Sequence, residues 1–175
     1  LTAEAGGDWV FIDAAKKGSD TRSLYFSNWP GNLWLEVARD VLAMQTVAKP
    51  ALLRHLFGLA ARFPAQILSY NKMLGQLQDA GNTTTLAHYL RLLETAFLVS
   101  GLERYSAGHA RSRGSSPKLV LWNNALVSAL NLRSFEQALS DPASWGRLVE
   151  NAVGAHLLNH LQGLPFEVGY WREHN

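Results

Sequence analysis

The stretch DAGNTTTLAHYLRLLETAFLV, residues 79–99, begins with a turn signal and continues with the pattern of a helix. On a helix at about 100° per residue, its apolar and polar residues separate onto two sides. The apolar side, which we predict to be buried, consists of Leu86, Tyr89, Leu90, Leu93 and Phe97. The opposite side carries Thr84, His88, Arg91 and Thr95. The stretch therefore predicts one helix over residues 83–99 that packs a core with one side and exposes a polar face with the other.

Two further helices are predicted on the N-terminal side of this stretch. PALLRHLFGLAARF, residues 50–63, has proline at a first helical position, and Pro64 ends it. In QILSYNKMLGQLQDAG, residues 66–81, Ser69 is a candidate N-cap, and Gly81 suits the turn into the third helix. Three short helices, the last two joined by a turn that contains glycine, are typical of a helix-turn-helix.

A pair of strands is predicted on the C-terminal side. FLVSGLERY, residues 97–105, and KLVLWNNAL, residues 118–126, flank the polar and basic tip SAGHARSRGSSP. A strand, a basic tip and a return strand directly after a third helix predict a wing. We therefore predict a winged-helix domain over residues 50–126.

The flanks of this domain are predicted from weaker patterns. Residues 1–32 are an unassigned N-terminal segment that includes the strand-like DWVFID, and residues 33–49 contain a leading helix. In residues 127–175 a long helix precedes a closing strand, PFEVGYWREHN. The apolar residues predicted to face inward on that helix are Leu148, Val149, Ala152, Val153, Leu157, Leu158 and Leu161.

Composition and charge limit the classes of protein. The chain has 175 residues, 47% of them hydrophobic, and no cysteine, which excludes disulfides and thiolate metal sites. No apolar run predicts a membrane span and no signal peptide is evident, so we expect a cytoplasmic protein without membrane contact. Residues 50–118 hold eight Lys/Arg and three Asp/Glu, a net charge of +5, whereas the remainder has a net charge of −3. A basic middle can face phosphates, or it can be a solvated face without a partner.

Five stretches of the chain carry a resemblance to a known family. They are residues 33–42, 49–105, 115–126, 145–161 and 170–175. Their order and spacing resemble the C-terminal region of the large bacterial and archaeal family of predicted AAA-type ATPases. That region combines a winged helix with a restriction-endonuclease-like part of unknown function. The resemblance implies a mainly α fold: a winged helix-turn-helix core with helical flanks and a truncated αβ C-terminal unit.

The resemblance also implies which catalytic elements to look for. Family members carry a P-loop ATPase upstream, but this chain has no G-x-x-x-x-G-K-[ST] motif. The nuclease-like part of the family continues with a carboxylate strand of the E-V-D-F type, and this chain ends at Asn175, before such a strand. Glu150 matches the family's helix glutamate, which alone cannot hold Mg²⁺, so we interpret it as a remnant of that site or as a helix residue that pairs with a neighbour. Relatives often have aspartate near Asn123 or Asn124, so an acidic role there is doubtful.

The sequence thus favours a non-catalytic nucleic-acid-binding or interaction module, without cofactor, catalytic residues or metal site. The candidate nucleic-acid-binding residues lie on the third helix, the tip and the return strand: Thr84, His88, Arg91, Thr95, His109, Arg111, Arg113 and Lys118. His156 and His160 have ligand spacing but lack the glutamate of H-E-x-x-H, so we interpret them as a surface pair. The alternative function is protein–protein docking or self-association without DNA binding. The partners considered are double-stranded DNA, a second copy of the chain and an ATPase.

Overall fold

A computed structural model describes residues 9–13, 23–27, 47–78, 81–105, 116–131 and 134–172 of the chain. The chain divides into two units, Leu1–Thr46 and Val47–Asn175. In the first unit, β1 (Trp9–Asp13) and β2 (Ser23–Ser27) pair antiparallel, with Phe11 opposite Tyr25. Strand β1 confirms the strand predicted from DWVFID. Most of the predicted leading helix at 33–49 lies outside the described residues, and residues 47–49 are not helical.

The second unit is mostly helical, with a small two-stranded antiparallel sheet. Its elements, in chain order, are α1 (Pro50–Arg62), α2 (Tyr70–Gln76), α3 (Thr83–Thr95), β3 (Val99–Leu102), β4 (Lys118–Leu121), α4 (Asn124–Asn131), α5 (Phe135–Leu139) and α6 (Pro142–Leu161). Strand β3 pairs with β4 so that Leu102 lies opposite Lys118. These elements confirm the mainly α class and both predicted strands of the pair.

Local capping explains where the helices begin. Pro50 stands at the start of α1. The Ser69 hydroxyl accepts a hydrogen bond from the backbone N–H of Lys72 at 3.3 Å, which confirms the predicted N-cap of α2. The Asn82 side chain accepts one from the N–H of Thr85 at 2.9 Å at the start of α3. Asp141 caps α6 in the same way, with Pro142 as its first residue.

The core lies between α1, α3 and the β3–β4 pair. Leu56 and Phe57 of α1, Leu86 and Leu93 of α3, and Leu119 of β4 are all fully buried. The extended segment that follows α1 runs beside β4 and forms an isolated antiparallel bridge to it at residue 67. The backbone N–H groups of residues 65 and 119 donate to the carbonyls of residues 119 and 66 at 2.8 and 2.9 Å. The order is therefore helix, extended segment, helix, turn, helix, strand and return strand.

The end of α3 differs from the prediction. The helix ends at Thr95 rather than at residue 99, and Phe97, predicted to be buried, has φ of +55° and is 51% exposed. The N–H of Phe97 donates to the carbonyl of Glu94, and the N–H of Leu98 donates to that of Leu93, both at 2.9 Å. These bonds form a Schellman motif with phenylalanine in the left-handed position that glycine usually takes. Because the chain reverses there, Phe97 points away from the core that Leu86, Leu90 and Leu93 fill.

The buried side of α6 also differs from the prediction. Val149, Val153 and Leu157, predicted to face inward, are 47%, 56% and 41% exposed, and the helix buries Asn151 and Ala155 instead. The physical reason is close packing against β4. A Cβ added at Gly154 would lie 2.9 Å from Cγ1 of Val120, so only small side chains fit this contact.

The closing strand predicted from PFEVGYWREHN is not formed in its described part. The described residues of this segment form an isolated parallel bridge between Arg104 and Tyr170 instead of a strand. The Tyr105 N–H donates to the Tyr170 carbonyl at 2.7 Å, and the Tyr170 hydroxyl donates to the Ser116 carbonyl at 2.7 Å. Tyr170 packs with Leu102 and Val120 in a small buried cluster. The segment is therefore held by the β3–β4 pair of its own chain.

Candidate nucleic-acid interface

Four of the predicted site residues lie together on α3. Thr84, His88, Arg91 and Thr95 are all exposed and follow one another at spacings of four, three and four residues. The opposite side of the helix is buried, so this row faces solvent along the whole length of α3. The row can offer hydroxyl, imidazole and guanidinium groups to one ligand surface.

The hydrogen bonds of the row show which of its groups are already engaged. The Thr95 hydroxyl donates to the Arg91 carbonyl at 2.9 Å, a bond within the helix. Nε of Arg91 donates to the Ala87 carbonyl at 3.4 Å, which leaves the two terminal nitrogens of the guanidinium for other acceptors. Arg91 is thus the cation of the row, and Thr84, in the first turn, adds a hydroxyl near the N-terminal end of the helix.

Carboxyl groups beside Arg91 moderate its charge. Burial raises the pKa of Glu94, with a further rise from the Glu103 carboxylate, whereas the Ser100 hydroxyl and Arg91 act in the opposite direction. Burial likewise raises the pKa of Tyr70 on α2, and Arg91 again opposes the shift. The C-terminal half of α3, which carries Arg91, therefore has a mixed electrostatic field.

The predicted tip residues His109, Arg111 and Arg113 lie outside the described residues. The strands that flank them are described, and their antiparallel register brings residues 102 and 118 opposite each other. The described residues on either side of the tip therefore lie at the same end of the β3–β4 pair.

Lys118 differs from the other candidates in its environment. Its ammonium forms an ion pair with the carboxylate of Glu150 on α6, and its side chain is only 18% exposed. This contact confirms the expectation that Glu150 pairs with a neighbour. It also means that Lys118 is directed toward α6, and a phosphate would have to compete with Glu150 for it.

Three asparagines that the sequence interpretation missed join α6 to the end of β4. Asn151 is fully buried, and its side chain accepts from the N–H of Leu121 at 2.9 Å and donates to the carbonyl of Leu121 at 3.0 Å. Asn124 accepts from Asn151 at 2.8 Å and donates to the Leu148 carbonyl at 2.8 Å. Asn159 donates to the Trp122 carbonyl at 3.3 Å. An asparagine spaced like the inward-facing residues of an apolar helix was the signal that could have identified this network.

The described residues were compared with the requirements of a metal site and of a membrane-spanning helix. His156 and His160 are exposed, with ring centroids 3.8 Å apart, which agrees with a surface pair. In the part of the chain that the structure describes, no group of three or more His, Asp or Glu is arranged to hold a metal ion. None of the described helices combines the length and apolar character needed to cross a bilayer.

Comparison with known proteins assigns the chain to one protein family. No curated protein matches the chain, and no solved structure matches it either. One family model, described as a domain of unknown function (DUF8612), matches residues 13–137. The match includes α1 to α4 and the β3–β4 pair, ends within α5, and leaves α6 outside. Because it covers more than half of the chain, the chain belongs to the DUF8612 family.

Proposed function

We propose that this chain is a non-catalytic nucleic-acid-binding module whose α3 lies against duplex DNA. The observation that carries the proposal is the exposed row of Thr84, His88, Arg91 and Thr95 on a helix whose other side is buried. A helix presented in this way can enter the major groove, where a guanidinium reads guanine edges or neutralises phosphates.

The order of elements supports a winged helix as the scaffold of this module. An extended segment between α1 and α2 bridges to β4, and β3 follows α3 after a short turn. Such a domain uses its third helix and the tip between its strands together. The tip sequence supplies Arg111 and Arg113 for phosphate contacts. The resemblance to the C-terminal region of predicted AAA-type ATPases supports an ATPase as a partner of the same module.

The salt dependence of binding tests the proposal. Since Glu150 engages Lys118, we expect three phosphate contacts, from Arg91, Arg111 and Arg113. The logarithm of the association constant should then fall with the logarithm of the salt concentration at a slope of about −2.7, rather than about −3.6 for four contacts. A labelled duplex of mixed sequence, titrated with the full chain at several salt concentrations, measures this slope.

Three variants assign the contacts. Arg111→Ala combined with Arg113→Ala should reduce the slope by about two units, and Arg91→Ala by about one if it meets a phosphate. If Arg91 meets a base edge, its loss should instead cost about 1–3 kcal/mol at preferred sites only. Arg54→Ala, which removes an exposed arginine of α1, is the matched control and should leave the slope unchanged. Absence of duplex binding even at low salt would reject the proposal.

The second candidate function is docking or self-association. The observation that favours it is the row of Val149, Val153 and Leu157 on α6, which are exposed at spacings of four residues. Exposed apolar rows of this kind mark interaction surfaces. This function would need no DNA and would not use the polar face of α3.

A further inference from the structure

A cavity of about 580 Å³ lies where the end of α1 meets α4, α5 and α6. Its volume falls within the range of small-molecule sites, about 300–1,000 Å³. Helices α4, α5 and α6 are consecutive in the chain, but α1 is distant from them in sequence, so only the folded second unit forms the cavity. None of the α3 row lines it, so it is separate from the candidate nucleic-acid interface.

The charged side chains among the described lining residues are both cationic. Arg62, the last residue of α1, and Arg147 of α6 line it, and among the described lining residues there is no aspartate or glutamate. Arg147 contacts the side-chain oxygen of Gln66, with Nη1 at 2.7 Å and Nε at 3.3 Å in the amide orientation that satisfies both groups. That partner is neutral, so it orients the guanidinium without cancelling its charge.

The apolar part of the cavity is aromatic. Phe135 and Trp145 pack edge to face, with ring centroids 5.5 Å apart and an interplanar angle of 89°. Phe135 lines the cavity and is 62% exposed, so the protein does not cover it fully. Val127 and Leu148 extend this wall. A planar apolar group can pack here with favourable ring geometry.

Two of the three serine hydroxyl groups that line the cavity are engaged within the protein. The Ser144 hydroxyl donates to Asp141 at 2.6 Å, and the Ser134 hydroxyl accepts from the N–H of Gln137 at 3.2 Å. The two guanidiniums are the charged groups that can select a ligand, and the Ser128 hydroxyl is a further neutral group of the lining. Guanidinium binds carboxylate and phosphate through paired hydrogen bonds.

We propose that this cavity binds a small organic anion, with a planar ring against Phe135 and Trp145 and a carboxylate or phosphate at Arg62 and Arg147. The inference does not rest on the proposed nucleic-acid function, because the two sites share no residue. Failure of one leaves the other standing.

Calorimetric titration of the full chain with three matched probes tests the proposal. The probes are 2-naphthoate, 2-naphthyl phosphate and the uncharged 2-naphthylmethanol. We expect at least one of the two anions to bind about tenfold or more tightly than the alcohol, and the tighter one identifies the anionic group. Binding of the alcohol as tightly as both anions, or no binding of any probe, would overturn the proposal.

Paired variants locate the binding. Arg62→Gln combined with Arg147→Gln should weaken anion binding by about tenfold or more and leave the alcohol unaffected. Both side chains are exposed, and circular dichroism checks that the variant is folded. Arg54→Gln, on the same helix as Arg62 but outside the cavity, should bind the anions as the wild type does. Equal anion affinity of the double variant and the wild type would place binding elsewhere and reject the site.

Discussion

At the scale of single residues, the two polar groups of Asn151 have the clearest structural role. Its amide pairs with both backbone groups of Leu121, as a neighbouring strand would, at a position without solvent. A buried polar group is tolerated only when it is hydrogen-bonded, and here every polar atom of the amide finds a backbone or Asn124 partner. The contact fixes how α6 lies against β4, because a shift along the helix would break both bonds.

We predict that Asn151→Leu lowers the free energy of unfolding by about 2–5 kcal/mol, since it leaves two buried backbone groups without partners. Asn151→Asp should also be destabilised at neutral pH, because it buries a charge and removes the donor. It should partly recover in acid, where the protonated carboxyl can donate to the Leu121 carbonyl. Urea denaturation at several pH values measures both effects. Asn71→Leu, at an exposed position of α2, is the control. An unchanged midpoint for Asn151→Leu would contradict the assigned role.

Glu94 gives a prediction for the pH dependence of stability. Its pKa lies above the ordinary value of 4.5, chiefly because of burial. The folded state therefore binds a proton more tightly than the unfolded state, so this group lowers stability as pH rises from about 4.5 through the folded pKa. Glu94→Gln should remove that loss while still accepting from Ser100, and urea denaturation between pH 4.5 and 7 should show a flatter profile.

Glu136 is the control of opposite sign for this experiment. Hydrogen bonds from its own backbone N–H and from Ser134 lower the pKa of Glu136, so its contribution is present above the ordinary pKa and lost as pH falls. Glu136→Gln should therefore be less stable than the wild type at neutral pH, and this difference in the free energy of unfolding should shrink in acid. Parallel profiles of wild type and Glu94→Gln would contradict the assigned cause.

At the scale of elements, α3 shows how a helix with a strong apolar stripe is ended by its surroundings. Leu90 is 4% exposed and packs so closely on β3 that a Cβ at Gly101 would lie 2.5 Å from its Cδ2. Three residues past the helix, Leu98 is buried, and Phe97 between them takes the left-handed turn. The need to bring β3 back onto the core therefore determines where the helix stops.

We predict that Leu90→Ala lowers the free energy of unfolding by about 2–5 kcal/mol, because the cavity left beside Gly101 cannot collapse fully. Phe97→Gly should change it by less than about 1 kcal/mol. Relief of the left-handed backbone, about 1–2 kcal/mol, offsets the loss of the edge-to-face contact with Trp122, about 0.5–1.5 kcal/mol. Denaturant unfolding of both variants measures the difference. Equal destabilisation of the two would mean that Phe97 belongs to the core.

At the scale of the whole molecule, the second unit has two surfaces of opposite character. The α3 row is polar with one guanidinium, whereas α6 presents the apolar row of Val149, Val153 and Leu157. The two rows belong to different candidate functions, so each can be removed separately. A module that binds DNA and self-associates would use both.

We predict that the chain forms homodimers at tens of micromolar and that Val153→Glu makes it monomeric, because a charge in the apolar row would have to be desolvated on association. Light scattering at several protein concentrations measures the mass. Ala143→Glu, exposed at the beginning of α6, is the control and should dimerise as the wild type does. A monomeric wild type at high concentration would rule out self-association.

Much of the local structure could be predicted from the sequence. Apolar spacing identified α1 and the buried side of α3. Pro50 marked the start of α1 through its fixed φ, and Ser69 marked the start of α2 through a hydrogen bond that is local in sequence. The exposure of Thr84, His88, Arg91 and Thr95 followed from the same periodicity. These features depend on residues a few positions apart, and such interactions are encoded directly in the order of the side chains.

The features decided by tertiary structure involve partners far apart in the chain. Lys118 was expected to face phosphates, but Glu150, distant in sequence, binds its ammonium. Periodicity predicted that Val149 and Val153 face inward. However, β4 approaches α6 so closely that the contact is made by Gly154, by Ala155 and by Asn151, whose side chain forms two hydrogen bonds with the backbone of Leu121. Hydrophobic periodicity predicts which side of a helix can be buried. Which side it buries depends on the distance of approach and on the backbone groups that need partners, and only the assembled fold sets both.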